Sequence, residues 1–385
     1  LLGTALRGVG MRVRRLKARQ ADDSVWAAFH GLRDASRAYD NPFFDPDLAR
    51  ILSEAREDVE LIIAEADDGI GAIWPVHVRP GGWVRPLTGP FSDWHGPVVG
   101  DGCELTARDL LEQAGLAGLT TGGLRLQDGV VPDGLSTETV YVCDLSCGFE
   151  TYDSAQRSSH AKHFKRLRRK RRQLEEEQGV SQFVLDNRDP EVMRQVIAMK
   201  RQQYQSTGRH DVLEPVWAQK MVDALWAGDF PRLGVRLSTL CIADRLVAAE
   251  LNLVSKPVLH GWLVVYDRDF ARYSPGMLVM MDILQAMTAD GFTRYDLGAG
   301  DGHYKKYHAN AHAEIGVGIL RSRAGGVRPS RWLAEGWRAL EAQSPERISE
   351  VMGKVRRRSD QILAAEPELP RRVRGFLGAA RAPLG

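Results

Sequence analysis

The chain has almost no net charge, few cysteines and no long apolar run, and each shortage removes a class of function. A formal charge of +2 over 385 residues leaves no overall field to draw in nucleic acid, so any anion binding has to be local. Cys103, Cys143, Cys147 and Cys241 lack the paired spacing of a zinc site and lie in apolar or strand-like surroundings. They point to reduced thiols, a cytoplasmic location and no metal. No stretch approaches the roughly 18 apolar residues of a membrane span, and the first ten residues lack the basic start and apolar core of a secretion signal. Association with the inner membrane face would then be peripheral. What remains, at 43% hydrophobic and 26% charged, is an ordinary globular composition, long enough for two cores of about 150 residues each.

From Met11 the pattern predicts a strand, helices over Asp22–Ala38 and Asp45–Ala55, and a hairpin of Val59–Ala66 and Ile70–Val78 turning at Asp67-Asp-Gly69. A helix over Thr106–Ala114 and strands at Leu124–Gln127 and Thr139–Leu145 follow. The same order then returns: a strand at Val180–Leu185, helices at Pro190–Gln205 and Glu214–Ala227, and strands at Leu233–Cys241, Leu246–Val254 and Val258–Tyr266. A helix over Gly276–Asp290 and strands at Thr293–Leu297 and Glu314–Leu320 complete it. The repeated order implies a duplicated fold with a boundary near 146–155. Beyond Gly325-Gly326, Trp332, Leu333, Trp337 and Leu340 at helical spacing and the Arg356-Arg-Arg358 cluster predict a basic helical appendage over 326–385 with a partly flexible end.

Polar chemistry is concentrated between residues 258 and 320. Val258-Leu-His-Gly-Trp-Leu-Val-Val-Tyr266 reads as a buried strand leading through a polar turn into a helix. Ser274 stands at the expected N-cap and Pro275 at the first helical position, with Met277, Leu278, Met281, Leu284 and Met287 at helical spacing behind them. Free N–H groups and the positive end of the dipole make such a helix start an anion site. A further strand, Arg294-Tyr-Asp-Leu297, breaks into Gly298-Ala-Gly-Asp-Gly-His-Tyr-Lys305, where glycines let backbone pass close to a ligand. This is no dinucleotide fingerprint, because the third glycine falls at 302 and no clear helix follows.

Tyr266-Asp267, Ser274-Pro275-Gly276, Tyr295-Asp-Leu-Gly298 and Tyr304-Lys305, in that order and spacing, resemble the C-terminal half of the CelD/BcsL acetyltransferases of cellulose and exopolysaccharide biosynthesis. That family lies in the GNAT superfamily and is related to the FemABX peptidyltransferases. The resemblance runs upstream through the basic helix at 157–178 and Met199-Lys-Arg-Gln-Gln203 to Ser92-Asp-Trp-His-Gly-Pro97 and Asn41-Pro-Phe-Phe44. It implies an α/β (α+β) fold of tandem GNAT domains, each a mixed central sheet flanked by helices. Residues 11–150 would lack a donor site and 151–325 would carry the active one. The resemblance also implies acetyl-CoA as donor, its pyrophosphate held by Arg272, Ser274, Pro275, Gly276, Met277 and Leu278. The usual glycine signature of that loop is not met, since Pro275 and Met277 fill the glycine positions, which leaves the phosphates to backbone N–H groups at the helix terminus.

His260 lies mid-strand and reads either as a core histidine or, by the resemblance, as a general base near the splayed opening where GNAT folds take acyl-CoA. Glu250, inside an apolar strand with Asn252 on its face, either pairs with an arginine or lines the site. Asp296, Tyr304 and Lys305 match the family's aspartate and Tyr-Lys pair. The carboxylate would orient or deprotonate the acceptor, the tyrosine protonate the leaving thiolate, and the lysine hold a phosphate or acceptor carboxylate. The alternative for all three is an Asp-Gly turn with surface partners. Trp94 and His95 read equally as contacts to a sugar ring and as loop packing.

His160-Ala-Lys-His-Phe-Lys-Arg-Leu-Arg-Arg-Lys-Arg-Arg172 carries eight Lys/Arg and no acid. Arg171 with Glu175 and Arg172 with Glu176 would form surface pairs, while the remaining basic face would attract CoA phosphates or an anionic saccharide precursor. No aromatic ladder accompanies the charge, so no nucleic acid polymer is expected. Arg168, Arg172 and the 356–358 cluster are also of the kind that holds cyclic di-GMP through arginine–phosphate forks, a regulation some members of the resembled family use. The implied function is transfer of an acyl group, most directly acetyl, to an amine or hydroxyl of a sugar nucleotide or lipid-linked saccharide, by a monomer or homodimer. Two rivals stand beside it. One is FemABX-like aminoacyl transfer to a peptidoglycan precursor, although Gly179 alone between helix and strand leaves no room for that group's helical hairpin. The other is an inactive GNAT that binds a polysaccharide machine or a nucleotide signal.

Overall fold

Alternating and wholly apolar runs pair edge to edge into one 13-stranded mixed sheet, on which amphipathic helices lay their apolar faces. The computed structural model describes residues 10–228, 230–300, 302–323, 336, 340, 341 and 343–381. Its first half holds β1 (Arg12–Lys17), α1 (Asp23–Asp34), α2 (Pro46–Ala55), β2 (Val59–Ala66), β3 (Gly69–Arg79) and β4 (Trp83–Pro86). These are followed by the short β5 (Val98–Val99), α3 (Ala107–Gln113), β6 (Gly118–Arg125) and β7 (Leu135–Asp144). Asp22 caps α1 by accepting from Ser24 N and Val25 N, and Thr106 and Asp109 close a capping box on α3.

The second half begins with α4 (Phe149–Ser159) and α5 (Ala161–Gln178), then β8 (Ser181–Val184), α6 (Pro190–Ser206) and α7 (Val216–Ala227). Next come β9 (Leu233–Ile242), β10 (Arg245–Ser255), β11 (Val258–Tyr266), α8 (Pro275–Ala286), β12 (Arg294–Ala299), α9 (Lys305–His308) and β13 (Ala311–Arg321). Where the sequence pattern merely broke near 146–155, α4 starts, behind Gly148 at φ 85°. β6 begins six residues before the expected strand: its three glycines have little strand preference, and pairing with β13 and β4 holds them.

The sheet runs β1-β2-β3-β4-β6-β13-β7-β12-β11-β10-β9-β8. β13, late in sequence, is therefore inserted between β6 and β7, antiparallel to both, while β7 pairs antiparallel with β12. The largest core also joins the halves, packing Phe29, Leu48 and Leu52 with Trp217, Met221, Leu237 and Leu251. The helical appendage is present as α10 (Glu346–Ala365) and α11 (Leu369–Arg381). The expected flexible end, over residues 382–385, lies outside the described residues, and α10 is pinned to the body. Arg79 Nη2 donates to the carbonyls of Leu363 (3.3 Å) and Ala364 (3.0 Å), and Trp217 Nε1 donates to that of Ala365 (2.8 Å). Trp332, Leu333 and Trp337 lie outside the described residues, and Leu340 is exposed.

Candidate active site

β11 and β12 run parallel but pair only at Val258↔Arg294, Leu259↔Tyr295 and His260↔Asp296. Beyond these pairs β11 continues along β10 to Tyr266, leaving its β12 side open. α8 starts beside the opening. Pro275 has no N–H, and Met277 and Leu278 give theirs to the Ser274 carbonyl (2.9 and 3.3 Å). Among the described residues this leaves the Gly276 N–H as the backbone donor without an acceptor at the helix start. The parted strands and the helix enclose a cavity of about 310 Å³, walled by Glu250, Gly261, Gly276, Met277, Tyr295 and Tyr304 among others. That volume sits at the small end of ligand sites.

Glu250 is the one carboxylate on this wall among the described residues, and it is 1% exposed. Asn252 Nδ2 donates to its Oε1 (2.6 Å) and the Tyr295 hydroxyl donates to the same oxygen, so Glu250 lines the cavity and, among the described residues, has no arginine partner. Burial raises its pKa above the ordinary glutamate value, against the lowering pull of those hydrogen bonds and of the nearby His260 and Lys200 charges. A raised pKa makes the ionised carboxyl a stronger base toward an acceptor proton than an ordinary glutamate. Tyr304 is partly exposed on the cavity wall, and burial with the Glu250 charge pushes its hydroxyl up to about 12. It keeps its proton and can donate it. Behind the wall, Lys200 Nζ donates to the Val264 carbonyl (3.0 Å), and burial brings its ammonium down to about 8.

Gly261 makes this arrangement possible. A Cβ there would stand 2.8 Å from Tyr295 Oη and 3.0 Å from Glu250 Oε1, both held in buried positions. Gly261→Ala is expected to displace the carboxylate and lower kcat/KM by about tenfold or more in steady-state assays, since sub-ångström placement of a reacting group carries effects of that size. Neither Gly261 nor Tyr295 stood out as a functional residue in the sequence. The available signal was a glycine inside an apolar strand, which marks close approach.

His260 does not line the cavity, which corrects its reading as a general base of near-neutral pKa. It is fully buried, with Nε2 3.0 Å from Asp93 Oδ2 and Nδ1 3.6 Å from Asp296 Oδ1. Burial opposes its charge, but the two carboxylates prevail and raise its pKa to about 10, so it is an imidazolium at neutral pH. Asp296 faces the same cluster. It accepts from Asn41 Nδ2 (2.7 Å), Trp94 Nε1 (2.8 Å) and the Gly298 N–H (2.7 Å). Although burial works to raise its pKa, His260 and these bonds hold it below the usual value. Its acceptor capacity is spent on protein donors away from the cavity. Gly298, at φ +68°, admits Asp93 so closely that a Cβ would overlap its carboxylate.

Lys305 is buried and donates to the carbonyls of Gly298 (3.2 Å) and Ala299, so it braces the glycine loop and is not set to hold a phosphate. Of the expected donor loop, Pro275, Gly276, Met277 and Ser274 reach the cavity. Ser274 holds the expected N-cap position but makes no side-chain capping bond: it adopts φ 57°, ψ 53°, and its Oγ accepts from Lys170 Nζ (2.6 Å). Arg272 turns away to pair with Glu177 and lie over Tyr273, and Leu278 is buried in the α8 core. His95 is buried against Thr121 and kept neutral, its pKa lowered to about 3 by burial, so it packs the loop and offers nothing to a sugar. Trp94 has its Nε1 engaged by Asp296. On α5, Arg172 pairs with Glu176 as expected (3.6 Å), whereas Arg171 reaches Asp282 and Glu175 accepts from Ser181. His30, Asp45 and Asp47 have metal-like spacing among the described residues, yet the Arg33 guanidinium already lies 4.0 Å from Asp45, where a cation would compete with it.

No curated protein matches the chain by sequence. Among the solved structures that resemble it in outline are the following three. The tandem GNAT protein from the clavulanic acid biosynthesis pathway is 10% identical with a TM-score of 0.46, over 83% of this chain and 100% of that one. The C-terminal domain of an Agrobacterium fabrum protein named as a lysylphosphatidylglycerol synthetase is 14% identical with a TM-score of 0.45, over 76% and 91%. FemX is 8% identical with a TM-score of 0.44, over 71% and 89%. The family model described as the acetyltransferase (GNAT) domain matches residues 161–306, a span that contains every residue named above as lining the cavity. The chain thus carries a GNAT-type acyltransferase domain over residues 161–306.

Proposed function

We propose that the chain moves an acyl group, most directly acetyl, from acyl-CoA to an amine or hydroxyl of a sugar nucleotide or lipid-linked saccharide in exopolysaccharide or envelope assembly. One observation carries the reading: Tyr304, the buried Glu250 and Gly276, whose N–H has no backbone acceptor among the described residues, line one cavity at the parting of β11 and β12. The pantetheine arm would enter between the parted strands, with a phosphate at the α8 start. As the acceptor nitrogen or oxygen attacks the thioester carbon, Glu250 takes its proton; the C–S bond breaks, and Tyr304 gives its proton to the leaving thiolate. The saccharide acceptor rests on the resemblance to the CelD/BcsL enzymes. In the same reading residues 11–150 form a wall without a donor site, 151–325 hold both substrates and 326–385 are an appendage. Among the described residues no helix is long and apolar enough to cross a membrane.

Calorimetric titration with acetyl-CoA tests the donor half of the reading. The wild-type chain is expected to bind one equivalent. Gly276→Asp should weaken binding about tenfold or more, because a carboxylate at the helix start repels phosphate. A wild-type chain that binds no CoA ester sinks the reading.

A further inference from the structure

A second cavity, of about 610 Å³, lies between the C-terminal helices and the segment joining α6 to α7. Five arginines, Arg201, Arg209, Arg358, Arg371 and Arg374, line it with His210 against three carboxylates, Asp211, Glu214 and Glu366. Carboxylates answer only part of this charge. Arg201 Nε is 2.7 Å from Asp211, Arg371 3.5 Å from Glu368, and His210 3.3 Å from Glu366. Among the described residues no carboxylate stands within 4 Å of the guanidinium of Arg209, Arg358 or Arg374. Arg358 Nε and Glu366 Oε2 are, moreover, buried without a hydrogen-bond partner.

The cleft is built, since its walls are fixed. Arg79 and Trp217 pin the end of α10, and Arg372 turns α11 back by donating to the carbonyls of Glu366 (2.7 Å) and Pro367 (2.9 Å). Gly375 lets α11 approach, because a Cβ there would come 2.9 Å from Ile362 and 3.5 Å from His210. Guanidinium groups gathered in a concavity repel one another until an anion enters, and their planar forks match phosphate oxygens two at a time. The volume suits a small molecule.

We propose that this cleft is a second anion site, taking a phosphorylated small molecule with at least two negative charges that is distinct from the acyl donor. α6 links it to the chemistry. Arg201 faces the cleft, while the adjacent Lys200 donates to Val264 on the wall of the catalytic cavity. Phosphate could also arrive as the donor's own, so competition decides between the two sources.

Pyrophosphate titrated calorimetrically into the full chain at fixed ionic strength is the test. One saturable equivalent is expected, bound also in the presence of saturating acetyl-CoA. The Arg209→Glu/Arg374→Glu variant should bind pyrophosphate at least tenfold more weakly, with acetyl-CoA affinity within twofold of wild type. Arg358→Gln, which reverses no charge, should weaken binding in the same direction and guards against misfolding of the double variant. Absence of saturable binding, equal binding by the variants, or displacement by acetyl-CoA overturns the proposal. Pyrophosphate binding does not depend on the donor reading, so the two can fail separately.

Discussion

Glu250→Gln is expected to lower kcat about 10²- to 10⁴-fold, the usual contribution of a positioned general base, while leaving acetyl-CoA affinity within a few-fold. Steady-state turnover beside calorimetry separates the two. The substitution keeps the shape and the Asn252 contact but removes the one carboxylate that lines the cavity among the described residues. The pH dependence has a defined sign. Burial raises the Glu250 pKa, and the ionised form is the base, so wild-type kcat should rise with pH through that elevated value. Tyr304, pushed up to about 12, keeps its proton across the working range and imposes no alkaline fall there. The Gln variant should lose the acid limb. Full turnover by Glu250→Gln would remove this residue from the chemistry.

His260→Gln should act on stability before catalysis. The buried imidazolium separates two carboxylates, one of them the buried Asp296, and removing it leaves that charge uncompensated. Breaking a buried pair in this way costs about 3–5 kcal/mol, a fall in Tm of about 5 °C or more. The folded pKa of about 10 lies above the ordinary 6.5. The stabilisation is therefore complete below about pH 6.5 and is lost as pH rises through about 10. Thermal melts of the wild type should decline across that window, and the variant should lack His260's share of the decline. An unchanged Tm with abolished turnover would instead return His260 to the role of base.

Local order was legible wherever neighbouring residues decide it. β11 spans Val258–Tyr266 as its apolar run predicts, and Pro275 opens α8 at the position proline favours. The acidic residue in an apolar strand, Glu250, and the tyrosine after the glycine loop do meet at one cavity. Distant partners decided the rest. His260 read as a base from its mid-strand place beside the expected opening, whereas Asp93 reaches it from 167 residues away and makes it part of a buried ion cluster. Ser274 had the chemistry of a cap, but Lys170 takes its hydroxyl and its backbone is left-handed. Lys305 matched a phosphate-binding motif by type and position, and only the fold reveals the carbonyls of Gly298 and Ala299 beneath it. β13 read as the last strand of a second repeat, because periodicity carries no information about which edge a strand joins.

The place of β13 in the sheet bears on how the chain is made. β6 begins pairing at Gly118 with a strand whose far end, Arg321, leaves the ribosome roughly 200 residues later. At about 5–20 residues per second, that is a wait of roughly 10–40 s. Through that interval β6 and β7 lack the neighbour that separates them, and their free edges are open to other nascent chains. Yield in the cell should therefore track translation speed and chaperone supply more closely than the stability of the finished protein.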